Sequence, residues 1–144
     1  FWEIKRDYWR FKVLNKSKNL DEYIENFKNF LELEQANIKS VVYIWKTSKP
    51  FNRVIGESNI IYIGQTRNTF NARYKNAKSL DIERGYFNRY YKFLIEKYGA
   101  ISIEIIQTNE PKIEEYNRLM EYNDKHKEYP PLNRSIPTKP EKIK

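Results

Sequence analysis

The chain is 144 residues long, enough for one domain with its own core, and it holds no cysteine and a single histidine. This excludes disulfides, thiolate metal sites, a cysteine nucleophile and any site built on two histidines, and leaves a reducing, cytoplasmic compartment as the expectation. The net charge of +8 is concentrated: residues 41–100 carry 11 Lys/Arg against 4 Asp/Glu, residues 1–40 carry 8 against 7, and residues 101–144 carry 8 against 8.

In chain order, Ile4, Tyr8, Phe11 and Val13 stand near helical spacing and predict a short helix over residues 3–14. Leu20, Tyr23, Ile24, Phe27, Phe30 and Leu31 repeat at i, i+3, i+4, i+7 and predict a second, with Asn19 as N-cap and Glu22 three residues on. Residues 1–40 therefore read as a helical extension packed on the core. Trp2 and Trp9 read as packing residues, not as base-stacking platforms. The N-terminus, with Glu3, Lys5, Arg6 and Asp7, lacks a secretory apolar region, and no apolar run approaches the ~20 residues of a membrane span. The chain reads as soluble. Starting at Phe1 and not at methionine, it is compatible with a piece of something longer.

Two β-branched and aromatic runs, residues 41–45 and 60–64, read as short buried strands. The stretch between them contains Pro50, Gly56 and Asn59 and exceeds a tight turn, which predicts an antiparallel pair joined by an elaborated loop over residues 46–59. Lys46, Lys49 and Arg53 make that loop basic. Phe70, Arg73, Tyr74 and Ala77 then turn helical, with Asn68 or Thr69 as N-cap. Phe87, Tyr90, Tyr91, Leu94, Ile95 and Tyr98 form the cleanest helical stripe, stopped by Gly99, with Arg89 and Lys92 on its outer face. Ile101, Ile103 and Ile105 alternate with Ser102 and Glu104, predicting a third, half-buried strand over residues 101–107. Pro111 opens a helix to about Lys127, and a proline-rich extended tail follows from Tyr129. The expected fold is α/β of the α+β type: a three-stranded antiparallel sheet flanked by helices, with two extra N-terminal helices. Its divisions are an extension over 1–40, a core over 41–135 and an extended basic tail over 136–144.

Concentrated positive charge interleaved with aromatics favours a polyanionic partner, because neutralised phosphates release counterions. The blander alternative is that surplus lysine only solubilises a Tyr/Asn/Ile-rich chain. There is no glycine-rich phosphate loop. His126, between Lys125 and Lys127, reads as a solvated surface residue, and no nucleophile-elbow motif supports a triad on it. Catalysis would fall to Tyr, Lys, Arg, Asp or Glu, the groups a metal-assisted phosphodiester nuclease uses. A carboxylate can hold a hard cation that keeps waters and takes a phosphate oxygen. An arginine matches phosphate geometry and its developing charge. A tyrosine near both could release its proton more readily than its ordinary value of ~10 implies. Strand tyrosines, against this, commonly just pack.

Val41-Val42-Tyr43, the following loop, Tyr62-Ile63-Gly64-Gln65-Thr66 and Arg73 resemble the signature of the GIY-YIG nuclease superfamily. Val41 stands where its first motif usually has glycine, and the second motif matches throughout. Asn88-Arg89-Tyr90 through Lys97-Tyr98-Gly99 is similar to its second core helix, and Pro130-Pro131-Leu132-Asn133 to its closing motif. The resemblance spans roughly residues 40–135. It implies a catalytic domain over 41–135 with Tyr43 and Tyr62 beside the metal and attacking water. Arg73 would lie on the scissile phosphate, Gly64 and Asn133 would be structural supports, and Glu121 would be the metal ligand on the last helix. The implied cofactor is Mg²⁺, with Mn²⁺ able to substitute and no organic cofactor. The implied partner is DNA, with no membrane.

The chain departs from the family at the histidine usual about one turn after the arginine, where Ala77 and Lys78 stand; Arg67 or Lys78 would orient water or phosphate instead. The apolar face of the last helix is expected at Ile113, Tyr116, Leu119 and Met120. Glu121 lies at its margin, and Glu114, Glu115 and Asp124 stay open as ligands. Lys46, Lys49, Arg53, Lys75 and Arg89 are the expected DNA contacts, with base readout from the 46–59 loop or the N-terminal helices. The leading expectation is a metal-dependent DNA endonuclease of restriction, phage or mobile-element type; the alternative is a non-catalytic nucleic-acid-binding module using the same surface. Dimerisation is one way to cut both strands, and no interface is legible in the residues.

Overall fold

The computed structural model describes residues 2–5, 8–14, 19–74, 85–135 and 137–141. Its strands are β1 (Trp2–Lys5), β2 (Tyr8–Leu14), β3 (Lys39–Asn52), β4 (Glu57–Thr69) and β5 (Ile101–Thr108). Its helices are α1 (Leu20–Leu31), α2 (Phe70–Tyr74), α3 (Gly85–Tyr98) and α4 (Pro111–His126), with a 3₁₀ turn at Glu34–Asn37. The order across the sheet is β1-β2-β5-β3-β4, and each neighbouring pair is antiparallel. The expected mixed α+β fold around a three-stranded antiparallel core is present as β5-β3-β4, and β1 and β2 extend it.

That extension corrects the helix expected over residues 3–14. Trp9, Phe11 and Val13 alternate with Arg10 and Lys12, a period of two. The free side of β5 supplies a ladder for that period, with Phe11 opposite Ile105 and Val13 opposite Ile103. A strand that completes an existing ladder satisfies its backbone at once, and this outweighs a loose helical spacing. The second expected helix stands as α1: Asn19 Oδ1 accepts from the Glu22 amide at 3.0 Å, and Tyr23, Phe27, Phe30 and Leu31 face inward.

The elaborated 46–59 loop is also corrected. β3 and β4 run on as one long hairpin to Asn52 and Glu57, leaving a turn of four residues closed by Arg53 N–H donating to Gly56 O at 2.9 Å. Gly56 takes φ +72° there, which glycine adopts without a Cβ clash. The turn is fastened to the end of α4. The Ile55 amide donates to His126 O at 3.2 Å, and His126 Nδ1 lies 2.9 Å from Ile55 O. Arg53 pairs with Glu128 at 2.7 Å and donates to Tyr129 O at 2.8 Å, and the Val54 amide donates to Glu128. His126 is thus not a solvated residue: it is 4% exposed, packed on Tyr122 and used as a clamp.

Both faces of the sheet are covered. Val41, Tyr43, Trp45, Ile61, Ile101, Ile103 and Ile105 pack against Tyr23, Phe27 and Phe30 of α1, Phe70 of α2, and Tyr91, Leu94 and Ile95 of α3. Val42, Ile44, Ile63 and Ile106 pack against Leu119 of α4. β5 is therefore buried on both sides, not half-buried, and even Glu104 is 4% exposed, with Lys46 Nζ 3.8 Å away. α3 ends as expected, with Gly99 at φ +84° and its amide bonded to Ile95 O at 3.0 Å.

β4 is an edge strand, and unpaired edge groups invite mispairing. The tail closes this edge. Between the pairs Trp45–Tyr62 and Lys46–Ile60, β4 carries one extra residue, Ile61, a bulge whose carbonyl the ladder leaves over. Leu132 N–H donates to it at 2.9 Å. One residue on, Asn133 Oδ1 accepts from Ile63 N–H at 3.0 Å while its Nδ2 donates to Ile63 O at 2.9 Å. The side-chain amide takes the place of a neighbouring strand.

Candidate active site

The antiparallel register sets Tyr43 opposite Gly64 and Trp45 opposite Tyr62, so both tyrosines lie on the same face. Their rings run side by side, with centroids 6.2 Å apart and planes at 28°. Gly64 makes this approach possible: a Cβ there would lie 2.3 Å from Tyr43 Cε2 and 2.7 Å from Tyr62 Cε2. The glycine of the second motif is thus required by ring packing and not by a special backbone angle.

α2 follows β4 without a loop, because Thr69 Oγ1 accepts from the Ala72 amide at 2.9 Å and caps the first turn. That brings Phe70 edge-on to Tyr43 at 5.0 Å and lays the exposed Arg73 guanidinium 5.4 Å from the Tyr74 ring centre. The Tyr43 hydroxyl is the hub. It donates to Gln65 O at 3.4 Å, and the Tyr74 hydroxyl and the Arg73 guanidinium act on it. Tyr74, read from the sequence only as a stripe residue, belongs to this group; nothing in its spacing separates it from a core residue.

Burial pushes the Tyr43 phenol up to about 12; Tyr62 and Glu115 add to the rise, while the Tyr74 hydrogen bond and Arg73 oppose it. Tyr62 is raised too, by burial and then by Glu115, against Arg73. The protein groups alone therefore tighten the tyrosines' hold on their protons, the reverse of the easing expected from the sequence. At neutral pH both are phenols.

The carboxylate that acts on both tyrosines is Glu115. Glu121, the ligand expected from the sequence, is exposed and lines a different groove with Arg118, Lys125 and His126, floored by Ile44, Ile60 and Ile63. The reason is the face that α4 buries. Pro111, Leu119, Tyr122 and His126 are its buried residues, whereas Ile113, Tyr116 and Met120 are only half-buried. Positions 115, 119, 122 and 126 follow i, i+4, i+7, i+11, so Glu115 continues the buried stripe to where the sheet gives way to a cleft. Of the other carboxylates left open, Glu114 is held by Arg118 Nε at 2.6 Å and Asp124 is exposed near the far end of α4. Glu115 has no ion pair or hydrogen bond among the described residues, and burial alone raises its carboxyl to about 7.

The cleft in front of Glu115 has a volume of about 640 Å³ and is bounded by Gln65 and Arg67 of β4, Lys112 of α4, and Thr138 and Lys139 of the tail. Arg67 Nη2 lies 3.8 Å from Glu110. Among the expected DNA contacts, Lys49 and Arg89 are exposed, Lys46 faces Glu104 and Arg53 is consumed by the hairpin clamp. Lys75, Ala77 and Lys78 lie outside the described residues.

Among the described residues no three His, Cys, Asp or Glu side chains gather into a metal cage. One half-buried carboxylate on an open cleft, without a cationic partner among the described residues, does fit a hard cation that keeps most of its waters. Among the same residues no helix is long and apolar enough to cross a membrane. Compared with protein-family models, with curated proteins and with solved structures, the chain matches none.

Proposed function

We propose that the chain is a divalent-metal-dependent DNA endonuclease with a GIY-YIG-type site. The observation that carries this reading is the grouping of Tyr43, Tyr62 and Arg73, which belong to the motif the sequence resembles, with a carboxyl from a separate helix, Glu115, that has no ion pair among the described residues and acts on both phenols. A packing role explains buried tyrosines but not an arginine left exposed above them and a carboxylate desolvated without compensation.

Glu115 would hold Mg²⁺ or Mn²⁺, which when bound supplies Lewis acidity at a phosphate oxygen and water ligands more acidic than bulk water. Arg73 presents planar, permanently charged donors to the phosphoryl group as negative charge builds on it. The hydroxyls of Tyr43 and Tyr62 orient the attacking water. Water attack would form a new P–O bond as the P–O3′ bond breaks; the water's proton would pass to solvent and the leaving O3′ would take one up from solvent, leaving a 5′-phosphate and a 3′-hydroxyl. The excess of Lys/Arg over residues 41–100 supports DNA as the polyanion, through contacts that position the backbone without reading sequence.

The test is direct. Purified protein is incubated with supercoiled plasmid and linear duplex in Mg²⁺ or Mn²⁺ over a range of salt, and the ends are mapped. Ends bearing 5′-phosphate are expected, and a clustering of ends at one short sequence would mark a restriction-type enzyme. Plasmid left intact under all conditions sinks the proposal.

A further inference from the structure

We infer that the cleft beside Glu115 is a backbone-phosphate subsite and that the C-terminal tail is one of its walls, with Lys139 a positioning residue for the nucleic acid. The inference rests on the endonuclease reading and adds to it where the strand next to the reacting phosphate lies.

Three cations meet at this cleft from three separate parts of the chain: Arg67 near the end of β4, Lys112 in the first turn of α4, and Lys139 in the tail. All three are exposed. Lys112 and Lys139 have no ion pair among the described residues, and Arg67 meets Glu110 only at 3.8 Å, with both side chains about half in solvent. Such a pair is screened and contributes little, so an incoming phosphate can exchange for it. A phosphate also offers Arg67 a planar, two-point contact that Glu110 at this distance does not make. The cleft is open along one side and, at about 640 Å³, accommodates a run of sugar-phosphate beyond a single phosphate group.

The tail reaches the cleft because Leu132 and Asn133 pin it to the edge of β4. A strand of DNA approaching Glu115 therefore passes residues 138–141. The carboxylates Glu110 and Glu141 border the same cleft, which keeps it close to neutral before substrate arrives. Its three cations then position a phosphodiester chain more than they attract it from a distance.

The experiment measures binding of a fluorescein-labelled duplex in EDTA, by anisotropy against salt, and cutting of the same duplex in Mg²⁺. The proteins are wild type, Lys139→Ala, the Arg67→Ala/Lys112→Ala/Lys139→Ala triple variant, a chain ending at Ser135 that keeps the Asn133 clamp, and Lys125→Ala from the far end of α4 as charge-matched control. Each lost phosphate contact should lower the log–log salt slope by about 1. Lys139→Ala and the truncation should raise KM for cutting several-fold while turnover at saturating DNA stays at the wild-type value. A triple variant with wild-type affinity and slope overturns the inference, as does a control that loses as much as the triple variant. A truncated chain that binds more tightly overturns it too, since the tail would then obstruct the cleft. If the wild type binds with the expected slope and never cuts, the nuclease reading fails and the subsite stands; if it neither binds nor cuts, both fail.

Discussion

The two ends of α4 face the same hairpin under opposite conditions. At the C-terminal end His126, Glu128 and Tyr129 hold Arg53, Val54 and Ile55, with backbone and side-chain groups exchanged in both directions. At the N-terminal end Glu115 occupies the same helical stripe, also partly buried and also near the hairpin, and has no ion pair or hydrogen bond among the described residues. Pairing of polar groups at one end and a desolvated carboxyl at the other is the contrast on which the proposed metal site rests. The locked end fixes the register from which the open end is presented.

The sharpest way to break this contrast is to remove the open end. Glu115→Ala and Arg73→Ala should each lower cutting by about 10²–10³-fold, the cost of deleting one electrostatic stabiliser, with far-UV circular dichroism unchanged. Full activity in Glu115→Ala would end its assignment as metal ligand. Gly64→Ala comes next: its Cβ would enter the Tyr43 ring at 2.3 Å, so the two rings must separate. Cutting should fall at least tenfold and stability by about 1–3 kcal/mol, read in urea. Unlocking the other end by His126→Ala should cost about 1–3 kcal/mol and speed amide exchange at residues 53–56, with turnover kept; a loss of turnover as large as that of Glu115→Ala would erase the distinction between the ends. Glu121→Ala, on the exposed side of α4, should leave both cutting and stability at wild-type values.

The open end also has a pH signature. Burial holds the Glu115 carboxyl at about 7 in the folded protein, above its ordinary 4.5, so the folded state binds this proton more tightly than the unfolded one. The associated stability is complete below the unfolded value and is lost as pH rises through about 7. Glu115→Gln should therefore raise Tm at about pH 8 and leave it unchanged at about pH 4, the gain being about 1 kcal/mol or less for a carboxyl still partly in solvent. A Gln variant no more stable than wild type at the higher pH would mean that Glu115 is not desolvated. With metal limiting, cutting should rise with pH over the same interval, because a cation needs the ionised carboxylate.

Where local pattern and tertiary demand agreed, the residues could be read directly. Asn19 before α1, Thr69 before α2, Gly99 after α3 and Pro111 at the start of α4 are capping and termination devices that act within a few residues, and the pairing of the two tyrosine-bearing strands follows from their adjacency. Where the outcome depended on a distant partner, spacing misled. Tyr8–Leu14 is a strand because β5 has a free side, His126 is buried because the hairpin turn comes to it, and Arg53 is spent on Glu128.

The sequence by itself determined the class of fold and the order of the core elements, and the proximity of Tyr43, Tyr62 and Arg73 was legible in it, since these sit on consecutive elements joined by short-range geometry. Only the tertiary structure decided which carboxylate of α4 acts on the two tyrosines. A helix of 16 residues presents acids on every side, and the choice of Glu115 over Glu121 was made by the side on which β3 and β4 receive Leu119 and Tyr122, a contact between parts of the chain that no local periodicity encodes.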